Sequence, residues 1–549
     1  MKLYYVNFSI IIFAALFNAP GFQLKAEEYQ KNRQLPPARH YHVNPATSSI
    51  KIDGALNEEG WQEAVLIELP YEWFPGDNIP APVKTECMVT YSKSKLFIGF
   101  RCFDPDPKKI RAHLINRDAI NTYVLDDHVV IQLDCFNDDR RSFQFRVNPL
   151  GVQADAMFST FEGYEDFSWD AIWDSAGKIT DFGYAVEIAI PFNQLRFPKT
   201  SGKQKWGFNA ERSYPRNVRH RMCSHIRSRD ERCLLCQFNK ITGFEGISPG
   251  RNLELDPTLT LNRTDKRNDF PKGEMENGKI KVEPGVTFKW GITPNLILNA
   301  TLNPDFSNVE ADAAQLEVNT RFALRYPEKR PFFLEAADLF LTPMEVVFTR
   351  TVFDPLWGVK TSGKIGKNAL GIFATQDRYN NLIFPSNKGS SSTTIKENVY
   401  GGVLRYRRDI GKNTTVGVLY TGRFSENYHN QVAGVDSFIR LSGIKKLNIQ
   451  FLHSQTLYPG DISQQFNQPT DSFGGNALFI RFENMGRHLF YFFNYEDLSA
   501  GFRADFGFIP RVDTRRLGAG IGPILWGKQG QWFNRINIEL RGEKITNHA

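Results

Sequence analysis

Apolar and polar residues alternate with a period of two in many short stretches of this chain. In LFIGFRC, Leu96, Ile98, Phe100 and Cys102 share one side. In VVIQLDC, Val129, Ile131, Leu133 and Cys135 do so. SFQFRV aligns Phe143, Phe145 and Val147, and YAVEIAI aligns Tyr184, Val186, Ile188 and Ile190. Most residues opposite are polar or small. Turn residues such as Asp104-Pro105-Asp106-Pro107 and Asn137-Asp138-Asp139 separate the stretches. Short half-buried strands divided by turns predict a β-sandwich over 42–240. Within it, Asp53-Gly54 marks a turn, and Asn57 is placed to cap a short helix carrying Trp61.

From about Val282 the alternation returns in longer strands. Leu296, Leu298, Ala300 and Leu302 alternate with Ile297, Asn299 and Thr301; Val416, Val418 and Tyr420 share a face; Leu489, Tyr491, Phe493 and Tyr495 share another. Strands of about nine to eleven residues with one apolar and one polar face match an outer-membrane barrel with a polar lumen. A large soluble barrel or sandwich would alternate in the same way. The expectation is an all-β chain: a sandwich over 42–240, a linker over 241–281, and an antiparallel outer-membrane-type β-barrel over 282–549. The final KITNHA holds no terminal aromatic strand, so a truncated barrel is part of that expectation.

Residues 303–340 interrupt the alternation. Acids (Asp305, Glu310, Asp312, Glu317) give way to bases (Arg321, Arg325, Lys329, Arg330) and then to Pro331-Phe332-Phe333. The stretch is too charged to span a membrane and too apolar at its end for a free linker. It reads as an insert packed in or against the barrel, the alternative being a surface loop with a short helix. Pro327 and Pro331 bias Tyr326 and Arg330 to extended backbone. As a plug, the segment would use Phe332 and Phe333 as wedges. Lys329 and Arg330 would need acid partners among Glu328, Glu335, Glu310 and Asp312, because an unpaired buried charge is costly.

The strings NPDFSNVEAD and NTRFALRYPEKRPFFLE resemble a family of Gram-negative cell-envelope proteins. In that family a family-9 carbohydrate-binding-like domain precedes a C-terminal domain of unknown function of the 5916 type. IDGALNEEGWQEA is similar to the opening of family-9 carbohydrate-binding modules. The resemblance implies glycan binding at the envelope and supplies no established reaction. Such modules are commonly attached to hydrolases of O-glycosyl bonds, so a carbohydrate-active enzyme is the alternative.

Composition narrows this further. Among 549 residues, 45 Phe, 19 Tyr and 42 Gly favour strands and glycine turns. The net charge of +7 is spread along the chain, with no block that suggests a nucleic-acid arm. Lys2 followed by the apolar run FSIIIFAALF, with Ala26 at a plausible cleavage point, predicts a secretory signal over 1–26. Export to the outer membrane, with the sandwich periplasmic or at the surface, follows. The partners expected are polysaccharide and outer-membrane lipid.

No nucleophile elbow, zinc-protease, P-loop or dinucleotide signature occurs, and no acid pair is marked as catalytic. Sugar recognition needs aromatic faces for pyranose C–H groups and planar polar side chains for hydroxyls. FSTFEGYEDFSWDAIW concentrates aromatics, nominating Tyr164, Trp169 and Trp173, with Arg146 and Asn148 on the preceding strand. Trp169 and Trp173 could equally plug the end of the sandwich. Asp104, Asp106, Asp126 and Asp127 are candidates for a structural calcium of the kind related modules hold. In HRMCSHIRSRDERCLLCQ, Cys223, Cys233 and Cys236 with His220 and His225 leave three readings open: a disulfide, zinc ligation or free thiols.

Overall fold

The computed structural model describes residues 37–121, 125–160, 163, 165–167, 169–198, 204–250, 253–269, 271–293, 295–304, 321–411, 413–527 and 531–548. The signal over 1–26 lies outside them, and residues 40–549 form one compact unit.

The period-two stretches fold into two facing sheets. One has the spatial order Glu165–Asp166, Gln153–Ser159, Arg141–Val147, His128–Asp134, Lys205–Pro215, Arg219–Cys223, Tyr71–Phe74, Ile79–Pro80. Asn239–Thr242 also pairs with Lys205–Pro215, and His40–His42 runs parallel to it. The second sheet runs Asp174–Thr180, Gly183–Pro191, Lys95–Phe103, Thr85–Tyr91, Val65–Glu68. All four apolar rows named from the sequence meet in the one core between these sheets. Each fully buried side chain of this kind contributes about 1.5–3 kcal/mol.

Glu187 anchors the entry to the sandwich. Its carboxylate accepts hydrogen bonds from the backbone N–H of Asp53 (2.8 Å), Gly54 (2.7 Å) and Leu56 (3.1 Å), and from Trp61 Nε1 (3.1 Å). Gly54 has φ +83°, and a Cβ there would press on Gly177 and Lys178. Asn57 does not cap the following turn: the 3-10 helix Glu59–Trp61 has Glu58 at its N-cap and no side-chain cap bond. The distant carboxylate instead holds the turn that precedes the helix and the Trp61 indole.

The large sheet has 14 strands, all joined antiparallel. It begins at Leu253–Asn262, upstream of Val282 and inside the stretch expected to be a linker. Leucines at 253, 255, 259 and 261 continue the alternation there. Among the described residues, Leu253–Asn262 pairs only with Lys281–Thr293, and Leu540–Thr546 only with Thr514–Trp526. The expected barrel is therefore, over these residues, an open sheet.

Its two faces are inverted relative to a water-soluble protein. Lys360, Ser362, Thr375, Arg405, Arg423, Asn430, Gln450, Ser454 and Thr456 are buried on one face. Val359, Ile372, Leu404, Val416, Val418, Val435, Phe451 and Leu517 are exposed on the other.

The polar face is covered by the insert and by residues 499–513. Phe332, Phe333, Leu339, Phe340, Met344 and Val346 pack with Phe502 and Phe506 against Ala369, Phe373, Val403, Leu419, Val432, Leu452 and Ala477. Arg330 is extended (φ −80°, ψ 121°) and caps the short helix Pro331–Leu334. Its buried guanidinium bonds Glu328 and the carbonyls of Val352 (2.7 Å) and Thr349 (2.9 Å), and lies 4.1 Å from the Phe333 ring centroid. Lys360, on Pro355–Ile365, donates to the carbonyl of Phe332 (2.6 Å). Lys329 is half-buried, and its N–H donates to Glu328. Glu335 pairs with Lys289 (3.3 Å) and with Arg196 of the sandwich, leaving Glu328 as the partner of Arg330. Glu310 and Asp312 lie outside the described residues.

Arg330→Ala leaves Glu328 and two carbonyls without their cation. The expected loss is roughly 3–5 kcal/mol, read as a lower thermal midpoint of the detergent-solubilised protein. An unchanged midpoint together with ready proteolysis within 303–340 would show the segment to be an exposed loop.

Candidate functional site

The side of the ten-stranded sheet that points away from the core is polar rather than apolar. Antiparallel neighbours share a face, and the register pairs Arg146 with Val130, Val130 with Glu211, His128 with Ser213, and Ser213 with Arg221. Arg219 lies two residues before Arg221 and returns to the same side. The floor is a hydrogen-bonded set. Gln132 Nε2 donates to Gln144 Oε1 (2.7 Å), and Asn209 Nδ2 donates to Gln132 Oε1 (2.9 Å) and to Glu211 Oε1 (2.9 Å). Gln144 Nε2 donates to Glu165 Oε1 (3.1 Å), which also receives Arg146.

Aromatic rings flank this floor. Arg146 lies over the half-buried Phe167 at 5.2 Å. Arg221 and Arg227 each lie 4.3 Å from the Trp73 ring centroid, and both pair with Glu211. Glu72, beside Trp73, is 2.7 Å from His220 Nδ1. The Trp73 ring is thus held by arginines, which leaves Phe167 as the aromatic face at this site.

Charge is tightly organised here. Burial opposes ionisation of Glu211, yet Arg227, Arg221 and the Asn209 amide outweigh it and hold its pKa at about 2. Burial, followed by the repulsion of Arg146 and Arg219, pushes His128 well below the usual imidazole range, so it stays neutral. Burial and Arg227 outweigh Glu211 at Arg221 and lower it to about 10. Arg219 is lowered by burial and then by Arg146.

The residues nominated from the sequence divide. Arg146 stands on the polar face. Asn148 is buried, but its amide is used locally: it donates to the His113 carbonyl (2.9 Å) and Asp126 (3.1 Å), and it accepts from the N–H of Leu150 and Val152 (3.0 Å each). Trp173 lies in the core, 5.1 Å edge-on from Phe145. Trp169 packs on the same core, 5.0 Å from Phe143. Both rings lie with Phe143 and Phe145, on the opposite side of the sheet from Arg146, so the plugging role is the one realised. Tyr164 lies outside the described residues.

Trp73, His128, Glu211, Arg219, Arg221 and Arg227 were missed. The alternation of Arg219 and Arg221 on a short strand was a usable signal, obscured by reading that stretch for its cysteines. There, Cys233 and Cys236 form a disulfide and Cys223 is buried, its thiol donating to the His225 carbonyl. His220 turns to Glu72, so the residues do not converge on a zinc.

The four calcium candidates do not fit a cation either. Arg216 spans Asp104 and Asp127, Lys109 pairs with Asp106 (3.0 Å), and Asp126 is taken by His113 (2.6 Å). Asp118, Asp155 and Asp170 bring ligand atoms within 4.8 Å of one another, with Arg117 bonded to Asp155 (2.6 Å) among them.

Residues 253–358 match the family model described as a domain of unknown function, DUF5916. No curated protein matches the sequence. Among solved structures, a family-9 carbohydrate-binding module from Caldicellulosiruptor kristjanssonii in complex with cellotriose is 15% identical, with TM-score 0.26, over 39% of this chain and 96% of its own. OmpT, an outer membrane protein of Vibrio cholerae, is 7% identical with TM-score 0.24, over 77% and 97%. The Pseudomonas aeruginosa outer membrane protein opdK is 10% identical with TM-score 0.23, over 77% and 93%. The residues that match this model lie at the start of the large sheet and follow the two-sheet sandwich.

Glu211→Gln removes the charge that Arg221 and Arg227 share. The folded pKa is depressed, so the wild-type advantage is fully present above the unfolded value of about 4.3 and is lost as pH falls through the folded value of about 2. Thermal melts of both proteins from pH 7 to pH 3 should show a lower midpoint for the variant at neutral pH and a shrinking gap on acidification. A gap that is absent at pH 7, or that widens on acidification, would contradict this.

Proposed function

We propose that this chain is a glycan-binding protein of the outer membrane, its sandwich binding carbohydrate on the polar face and its large sheet lying in lipid. The observation that carries the reading is the outward face of the ten-stranded sheet, where an aromatic ring stands over planar polar side chains instead of an apolar surface. Phe167 offers a ring to the C–H side of a pyranose, and the partly exposed Glu165 and Arg219 of the same face offer acceptors and donors to its hydroxyl rim, above the buried Gln144 and Arg146. The inverted faces of the large sheet support the membrane placement: exposed Val, Ile, Leu and Phe side chains suit hydrocarbon, and buried polar ones suit a filled lumen. No described helix is long and apolar enough to cross a membrane.

Hydrolysis is the less supported alternative. A glycosidase needs a carboxyl kept protonated as an acid. Glu165 and Glu211, the carboxylates of this face, are both paired with arginine.

Two measurements test the proposal. Titration of the whole protein in detergent against a broad glycan array should give binding that Phe167→Ala weakens roughly threefold to tenfold, with the circular dichroism unchanged. No binding across the array would overturn the glycan assignment. The mature chain should fractionate with outer membranes and show heat-modifiable migration on gels. Recovery in the soluble fraction after osmotic release would overturn the membrane assignment.

A further inference from the structure

The polar face holds more positive than negative charge. Among the described residues, the guanidiniums of Arg146, Arg219, Arg221 and Arg227 face the carboxylates of Glu165 and Glu211. Arg146 is satisfied by Glu165, and Arg221 and Arg227 share Glu211. Among the described residues Arg219 forms no direct ion pair; Glu211 and Glu165 act on it only from further off, its Nε donates to Ser213 Oγ (3.0 Å), and the residue is half-buried. His128 nearby is held neutral and adds no further positive charge. Glu72, the next acid along the sheet, is engaged with His220 and the Gly76 N–H. A half-buried arginine beside another arginine, without an acid of its own, is costly unless an anion completes it.

Two groups suited to neutral oxygens border Glu211 and its arginines on the same face. Asn209 Oδ1 and Trp73 Nε1 are buried without a hydrogen-bond partner among the described residues. One is an acceptor and the other a donor, and both border the same arginine–carboxylate set. An anion alone would use the arginine and leave the acceptor unmatched. A polyhydroxylated ring carrying an acid group would match both chemistries.

We infer that the ligand of this face is a carboxylate-bearing sugar, of the uronic acid type, whose carboxylate is received by Arg219. The inference rests on the glycan-binding reading and names its substrate class. The planar fork of arginine fits a carboxylate with two parallel N–H···O bonds, and the neighbouring amides take the hydroxyls. No bond is made or broken; recognition is by charge and hydrogen bonding.

The test uses the full chain in detergent, titrated calorimetrically with oligoglucuronate and with the matching neutral oligoglucose, which differ at C6 by carboxylate against hydroxymethyl. An oligoglucose carrying sulfate in place of the carboxylate is the third probe. Oligoglucuronate should bind at least roughly tenfold more tightly than the neutral oligomer at low salt, with the preference narrowing as salt rises. Arg219→Gln should weaken binding of oligoglucuronate more than binding of the neutral oligomer and so remove that preference, with the circular dichroism unchanged. Arg219→Lys, which keeps the charge and loses the fork, should fall between. Equal or tighter binding of the neutral oligomer overturns this inference and leaves the glycan reading standing. Binding of the sulfated oligomer with none of oligoglucuronate overturns the carboxylate assignment. Binding of none of the three overturns this inference, and silence on the broad array as well overturns the glycan reading beneath it.

Discussion

The buried face of the large sheet combines an apolar cluster with charged and amide side chains, and each of those buried charges and amides needs a partner. That constraint governs the C-terminal half of this protein. The insert and the 499–513 segment meet it by combining two kinds of contact. Phenylalanines 332, 333, 373 and 506 exclude water in the middle. Around them, Arg330 takes Glu328 and two carbonyls, Lys360 takes carbonyls of the insert, and Tyr428 and Tyr458 donate to Asp505. The apolar side chains that a soluble sheet would have hidden face outward instead.

The same constraint joins the two halves. Arg141 of the sandwich reaches Asp338 of the insert (2.8 Å), and Arg196 reaches Glu335. Lys364 of the large sheet is shared between Asp138 of the sandwich (2.6 Å) and Asp409 (3.0 Å). Several of the insert's charges are therefore completed by residues of the sandwich. Arg146 lies on Arg141–Val147, whose hairpin with His128–Asp134 supplies Asp138, Arg140 and Arg141 to this junction, and Glu211 lies on the neighbouring strand Lys205–Pro215.

Much of the fold was legible. The rows at 96–102, 129–135, 143–147 and 184–190 entered the core as written, because a strand's two faces follow directly from backbone geometry. The burial of Phe332 and Phe333 and the need of Arg330 for an acid were legible from charge and proline placement; which of four candidate acids it takes, Glu328, was not. On the polar face, Arg146 was legible, as were Glu165 and Phe167 within the aromatic segment 158–173. Trp169 and Trp173 stood out as aromatics among acids, but an aromatic near a sheet edge fills a core as readily as it stacks on a sugar. Asp104 and Asp127 looked like calcium ligands until Arg216, more than eighty positions away, came between them.

By itself, the sequence determined which residues alternate, hence the strands, the two-faced character of the large sheet and the break in pattern at 303–340. These are local properties, set by a side-chain period of two and by proline and charge within a few residues. The tertiary structure alone decided the partners: that Glu187 gathers donors from 53 to 61, that Trp73 lies between Arg221 and Arg227, and that Arg219 is left without an acid. Such outcomes depend on the register between strands up to about 150 positions apart, and a one-residue shift in that register would have turned each of these side chains to the opposite face.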